Sequence, residues 1–243
     1  MPFASAEDGV RLNFEVEGSG PPLVMHHAFG GNLEDWREAG YVERLRERFR
    51  LILLDGRGHG RSDKPRDVEA YDFRTRVLDV VTVMREARVE RGHLFGYSLG
   101  GTVGQSALIY APQRFASMFL GGSSPYGGND LVMKRLGFEK SWPFLSGLPM
   151  NDDREAMAAH FEAQMRFNGA VQALKSTSVP TVFYAGEKDR GPSRGVREFA
   201  SKHALEHFFL EGHDHRSGMM DAAAVEAVVP RLIEFVERVE ASA

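Results

Sequence analysis

The stretch that most constrains this chain is residues 92–104, GHLFGYSLGGTVG, in which Ser98 has a glycine two positions away on either side. The G-x-S-x-G spacing is typical of a tight turn that joins a strand to a helix and carries the serine at its tip. Glycines at these two positions remove side chains that would collide where strand and helix come close. Residues 93–95 predict a buried strand before the turn, and residues 102–109 predict a helix that ends before Pro112.

Strand and helix patterns alternate along the rest of the chain. Predicted strands cover residues 10–16, as an antiparallel edge strand, and 23–27, 51–54, 118–120, 181–184 and 207–210. Helical spacing covers 32–49, with a break near Gly40, as well as 71–88, a segment ending at Phe199, and 221–239, which Pro230 is expected to kink. This order predicts an α/β fold: a doubly wound, mostly parallel sheet with helices on both faces. Such sheets place their sites at the carboxyl ends of the strands.

One interval interrupts this alternation. Residues 123–178 contain no predicted strand and are rich in phenylalanine and methionine. We expect an inserted helical lid over 123–178, with residues 1–122 and 179–243 forming the core of one domain.

Composition excludes several classes of function. A net charge of −4 with both signs interspersed gives no basic face, so neither nucleic acid nor an anionic membrane surface is an expected partner. The absence of cysteine removes disulfides, thiolate metal sites and a cysteine nucleophile. The sequence shows no signal peptide and no apolar run long enough to span a membrane, so a cytoplasmic location is expected. The oligomeric state is left open.

Four separated motifs carry a family resemblance. They are HAFGG at 27–31, GRGHGRS at 56–62, the turn at Ser98, and the late pair GEKDRGP and EGHDH, which contain Asp189 and His215. In these motifs and in their order, the chain from about Val10 to Val239 resembles the α/β-hydrolase fold family. The resemblance implies that fold, with Ser98, Asp189 and His215 in the order Ser, Asp, His.

The resemblance also implies a role for each residue. A serine hydroxyl is a poor nucleophile until a base removes its proton, and a histidine, with an intrinsic pKa of about 6.5, suits that task. Asp189 would fix the imidazole tautomer and stabilise the imidazolium. The backbone N–H groups of Leu99 and Phe29 would bind the oxyanion of the tetrahedral intermediate.

The chain departs from the family pattern at two places. Ala28 stands where a glycine is usual, so we expect a differently shaped oxyanion loop. EGHDH offers both His213 and His215, and the family spacing after Gly212 selects His215.

Simpler interpretations accompany each motif. Ser98 can occupy a glycine-rich turn without chemistry, and Asp189 can cap the following helix. His26 and His59 are expected to be structural. His213, Asp214 and His215 lack further ligands at metal-binding spacing, so no metal is expected. Arg61 replaces the third glycine of a dinucleotide motif, so no cofactor is expected.

The expected function is a serine hydrolase that cleaves a small to medium carboxylic ester, or a lactone or thioester, without a cofactor. Trp142 and Phe144 are predicted to line its substrate pocket. Cofactor-free perhydrolase or haloperoxidase activity and carbon–carbon bond hydrolysis use the same triad and stay open. A function of a different class also stays open: a sensor that binds a small ligand in a hydrolase-like pocket, with slow or no turnover of that ligand.

Overall fold

The computed structural model describes residues 3–127, 137–141 and 153–242. Eight strands form one sheet in the order β1-β2-β4-β3-β5-β6-β7-β8. The strands are β1 (Phe3–Ser5), β2 (Arg11–Glu17), β3 (Pro22–His26), β4 (Arg50–Leu54), β5 (Gly92–Tyr97), β6 (Phe115–Gly121), β7 (Thr181–Gly186) and β8 (Glu206–Leu210). The pairings β1–β2 and β2–β4 are antiparallel, and the other five are parallel. The predicted doubly wound, mostly parallel sheet is therefore confirmed.

The edge of the sheet differs from the prediction. Strand β2 was expected at the edge because its residues alternate in polarity, but β1 pairs outside it, with Phe3 opposite Asn13. Three residues near the amino terminus are too few to give a readable periodicity, which is why β1 escaped the sequence pattern.

Helices cover both faces of the sheet. They are α1 (Glu34–Glu38), α2 (Tyr41–Leu45), α3 (Phe73–Glu86), α4 (Leu99–Tyr110), α5 (137–141), α6 (Arg154–Met165), α7 (Val171–Ser176), α8 (Arg190–Ala200), α9 (Ser217–Met220) and α10 (Ala222–Glu240). Gly40 separates α1 from α2 with φ at 85°, as its position in the pattern predicted. Pro230 lies within α10 without ending it.

The sheet separates two hydrophobic cores. In β3, Leu23 and Met25 belong to one core and Val24 to the other, because successive side chains of a strand point to opposite faces. Helices α1, α2 and α10 pack on the first face, and α3, α4 and α8 on the second. Strand β5 lies between β3 and β6 in the interior of the sheet, and all six of its residues are buried.

Three helices, α5, α6 and α7, follow β6 and precede β7, and the described part of this interval contains no strand. Helix α6 packs beside the 3-10 turn Val68–Tyr71, and α7 contacts α4. The division into a core and a lid over 123–178 remains a proposal. Among the described residues, no helix is both long and apolar enough to cross a membrane.

Candidate active site

Ser98 occupies a strained turn between β5 and α4. Its backbone has φ of 53° and ψ of −103°, a conformation that residues other than glycine rarely adopt. The flanking glycines permit the turn, since a Cβ at Gly96 would lie 2.3 Å from the Gly100 carbonyl oxygen and a Cβ at Gly100 would lie 2.0 Å from the His26 carbonyl oxygen. The turn therefore holds the Ser98 hydroxyl at the carboxyl end of the central strand.

An imidazole and a carboxylate meet this hydroxyl. His215 Nε2 lies 2.9 Å from Ser98 Oγ, and His215 Nδ1 lies 2.7 Å from Asp189 Oδ2. The three side chains come from the ends of β5, β7 and β8, which the parallel sheet brings to one edge. The structure thus joins the three residues that the sequence motifs singled out.

Asp189 has an 8 % exposed fraction and precedes α8, yet its side chain caps no backbone N–H of that helix. Its carboxylate is hydrogen-bonded to His215 instead, so the helix-cap interpretation does not describe it. His213 contributes its backbone carbonyl, which accepts a hydrogen bond of 2.8 Å from the Lys188 N–H.

The hydrogen bonds define the tautomer of His215. A carboxylate only accepts, so the ring nitrogen beside it, Nδ1, carries the proton. Nε2 then carries a lone pair, which accepts a hydrogen bond from the Ser98 hydroxyl. This arrangement can remove the serine proton as the oxygen attacks a carbonyl.

The backbone N–H groups of Phe29 and Leu99 have no acceptor within the described chain. Leu99 is the first residue of α4, where the helix dipole favours negative charge. The neighbouring amide of Gly30 donates to His59 Nε2 at 3.0 Å, which anchors the loop after β3. Two N–H donors are thus left for a ligand's oxygen.

The backbone at Ala28 lies outside the left-handed region. This residue is absent from the positive-φ residues of the described chain, so its Cβ carries no backbone strain. The loop is held by His27, whose Nδ1–H donates to the Ala28 carbonyl at 2.7 Å and whose Nε2 accepts from the Gly56 N–H at 3.0 Å. Ala28 is therefore accommodated without backbone strain, and a loop shape that differs from the family pattern stays a prediction.

Two further histidines near the loop are buried and neutral. Burial lowers the pKa of His26 to about 3 and the pKa of His59 well below its usual value. The Nδ1–H of His26 donates to the His27 carbonyl at 3.1 Å. Both side chains support the loop through hydrogen bonds, as expected for structural residues.

Aromatic rings of helix α6 adjoin Phe29. The ring of His160 lies 4.9 Å from it and the ring of Phe161 lies 6.5 Å away, while Phe138 packs 5.7 Å from Phe161. Trp142 and Phe144, predicted to line the pocket, lie outside the described residues.

Sequence reasoning missed Tyr97 and His160. The Tyr97 hydroxyl donates to the His215 carbonyl at 2.7 Å. Its position next to Ser98 was a usable signal, whereas His160 lies in a helix whose sequence reveals nothing of its contacts.

Comparison with known proteins supports the same fold. A family model described as alpha/beta hydrolase fold matches residues 21–165. Among curated proteins, the putative carbamate hydrolase RutD of Azorhizobium caulinodans is 33 % identical over 118 residues, which are 49 % of this chain and 43 % of that protein. The match spans less than half the length of that relative.

Solved structures resemble the chain over nearly its whole length. A hydrolase from Pseudomonas aeruginosa PA01 superposes with a TM-score of 0.78 at 23 % identity and 97 % coverage of both chains. A structure reported with the carboxylesterases of Nitrososphaera gargenis gives a TM-score of 0.82 at 20 % identity, with 100 % coverage of both. At this level of identity the likeness shows the fold.

Proposed function

This chain belongs to the alpha/beta hydrolase fold family, and we propose that it is a serine hydrolase that cleaves a small to medium carboxylic ester, or a lactone or thioester. The observation that carries the proposal is the row of hydrogen bonds from Asp189 through His215 to Ser98. We assign Ser98 as nucleophile, His215 as general base and Asp189 as the residue that orients the imidazole.

The proposed reaction begins with attack of Ser98 Oγ on the ester carbonyl carbon while His215 Nε2 takes the hydroxyl proton. The carbonyl oxygen becomes an oxyanion, which accepts hydrogen bonds from the Phe29 and Leu99 amides. The loss of one such donor typically costs about 2.7–4 kcal/mol of barrier. His215 then protonates the leaving alcohol as the carbon–oxygen bond breaks.

Hydrolysis of the acyl-enzyme repeats these steps with water. His215 accepts a proton from the water that attacks the Ser98 ester, and the second tetrahedral intermediate uses the same two amides. His215 finally returns the proton to Ser98. Acid inhibits both halves of the cycle, because an imidazolium cannot accept a proton.

The walls of the site favour an uncharged substrate of modest size. Phe29, Phe138 and Phe161 place apolar surface beside the oxyanion loop. Apolar walls with a few polar groups at one end are typical of small-molecule sites. We propose that these rings, with Trp142 and Phe144, form the acyl or alcohol pocket, and that residues 123–178 act as its lid.

The test is hydrolysis of p-nitrophenyl esters of increasing acyl length, followed through the burst and the steady state. We expect turnover in the native chain and a loss of at least about 10³-fold in Ser98→Ala. Ser106→Ala is the matched control, since this buried serine of α4 only bonds the Thr102 carbonyl. Turnover that survives in Ser98→Ala removes the nucleophile assignment, and saturable binding without turnover in the native chain favours a sensor.

A further inference from the structure

His59 is completely buried behind the loop that follows β3, residues 27–31. Its Nδ1 lies 3.2 Å from the Arg57 carbonyl oxygen, which can only accept, so Nδ1 carries the ring proton. Nε2 therefore has the lone pair, which accepts a 3.0 Å hydrogen bond from the Gly30 N–H. Burial, together with the neighbouring His27, lowers the pKa of His59 well below its usual value, so this acceptor persists at neutral pH.

His27 makes the reciprocal contact from the other side. It belongs to the loop 27–31, and its Nε2 accepts a 3.0 Å hydrogen bond from the Gly56 N–H, in the loop that carries His59. Each loop thus offers one imidazole nitrogen to a backbone N–H of the other, and the two rings lie 4.9 Å apart. The backbone of residues 27–31 is therefore positioned by the loop that carries His59.

The peptide unit that contains the Phe29 N–H is fixed at its carbonyl end. The Ala28 carbonyl accepts from His27 Nδ1–H at 2.7 Å and from the Gly31 N–H at 3.1 Å. A trans peptide is planar, so its N–H points away from its own carbonyl oxygen. The Phe29 N–H is therefore directed away from both donors, and turning this unit would break two hydrogen bonds.

The next peptide unit, from Phe29 to Gly30, is fixed at its N–H end by His59. The planes of the two units that flank the Phe29 Cα define its φ and ψ, and so the direction of its N–H. Gly30 has φ at 80°, and glycine permits a wide range of backbone angles. A hydrogen bond rather than steric hindrance must then hold the second unit in place, and His59 supplies it.

We propose that His59 is a positioning residue for the oxyanion site: by accepting from the Gly30 N–H, it keeps the Phe29 amide in the direction that binds the oxyanion of the tetrahedral intermediate. His59 acts through the backbone of residues 29 and 30. This inference rests on the proposed function, since an oxyanion forms only if Ser98 attacks a carbonyl. A misdirected donor weakens binding of the transition state more than binding of the ester, so kcat rather than KM should report the loss.

Steady-state hydrolysis of a p-nitrophenyl ester compares two polar replacements of His59. The amide of His59→Asn reaches only the position of Nδ1 and leaves the Gly30 N–H without its acceptor. We expect kcat to fall about 10- to 100-fold, with KM within about threefold of native. The longer side chain of His59→Gln can bring its amide oxygen to the position of Nε2, and we expect kcat within about fivefold of native.

His93→Asn is the matched control, because His93 is also a buried histidine but lies at the amino end of β5, away from Ser98. This variant should keep the native kcat even if it is less stable. A kcat for His59→Asn within about threefold of native, or equal losses in His59→Asn and His59→Gln, overturns the proposal.

Hydrogen exchange of the Gly30 amide, followed by NMR, gives a readout that needs no turnover. This amide is buried and hydrogen-bonded, so it should exchange slowly in the native chain, at least about tenfold faster in His59→Asn, and slowly again in His59→Gln. In the native chain itself, a scalar coupling between the Gly30 nitrogen and His59 Nε2 reports the hydrogen bond, and its absence overturns the proposal without any variant.

The two kinds of failure are distinct. A native chain without turnover that depends on Ser98 contradicts the proposed function. A native exchange rate of the Gly30 amide in His59→Asn contradicts the role of His59 alone.

Discussion

The hydroxyl of Tyr97 donates a 2.7 Å hydrogen bond to the backbone carbonyl of His215. The two residues are 118 positions apart in the sequence. Tyr97 has an exposed fraction of 1 %, and its ring centroid lies 5.5 Å from that of His215. Burial raises the pKa of Tyr97 well above its usual value, so the hydroxyl remains a donor. The residue before the candidate nucleophile thus anchors the loop that carries the candidate base.

Tyr97→Phe tests this anchor. Removing one hydrogen bond worth about 1 kcal/mol should loosen His215 and lower kcat about fivefold, with KM nearly unchanged. The measurement is steady-state hydrolysis of a p-nitrophenyl ester. Tyr110→Phe, at an exposed position of α4, is the control and should match the native chain. Unchanged kcat in Tyr97→Phe would show that the loop holds His215 without this bond.

The identity of the base is tested by His213→Ala and His215→Ala. The imidazole of His215 contacts Ser98 Oγ, so its removal should cost at least about 10³-fold in kcat. His213 offers its backbone carbonyl to Lys188, an interaction that alanine retains, so His213→Ala should stay within about threefold of native. The reverse result would move the base to His213.

The turn at Ser98 predicts unequal effects of two glycine substitutions in α4. A Cβ at Gly100 would collide with the backbone of β3 at the His26 carbonyl oxygen, whereas a Cβ at Gly104 would meet the methyl groups of Leu94 and Leu120. Flexible side chains yield more readily than backbone. Denaturant unfolding should show a larger loss of stability for Gly100→Ala than for Gly104→Ala, by about 1–3 kcal/mol. Equal losses would indicate that the turn tolerates a side chain.

His160 predicts a dependence of stability on pH. Its folded pKa is lowered by burial, while the unfolded imidazole takes up a proton below about pH 6.5, so the free energy of unfolding falls as the pH drops below that value. His160→Phe removes one such group and should reduce the slope between pH 6 and pH 5 by about 1.4 kcal/mol per pH unit. Phe161→Leu should lower stability at each pH with the native slope. An unchanged slope in His160→Phe would mean that the ring is protonated in the folded chain.

The sequence predicted most of the sheet and the meeting of three distant side chains. Strands β3 to β8 are recognisable because each is a compact apolar run between helical patterns, and their carboxyl ends share one edge in a parallel sheet. The G-x-S-x-G spacing located Ser98 because the backbone strain there demands glycine nearby.

What escaped the sequence depends on contacts between distant segments. The bond from Tyr97 to His215 and the burial of Arg76 and His160 have no local periodicity. Arg76 follows the helical pattern of α3 like any charged residue, and only the packing of α6 against the core reveals that it is buried. Buried polar groups of this kind are set by tertiary structure and are therefore invisible to pattern analysis.

The account depends most on Ser98 as a covalent nucleophile, and intact-mass spectrometry after reaction with a fluorophosphonate tests it directly. The native chain should gain one phosphonyl group per molecule, located on Ser98 by peptide mapping, and Ser98→Ala should gain none. Labelling of another residue, or no labelling of the folded native chain, would contradict the proposed mechanism.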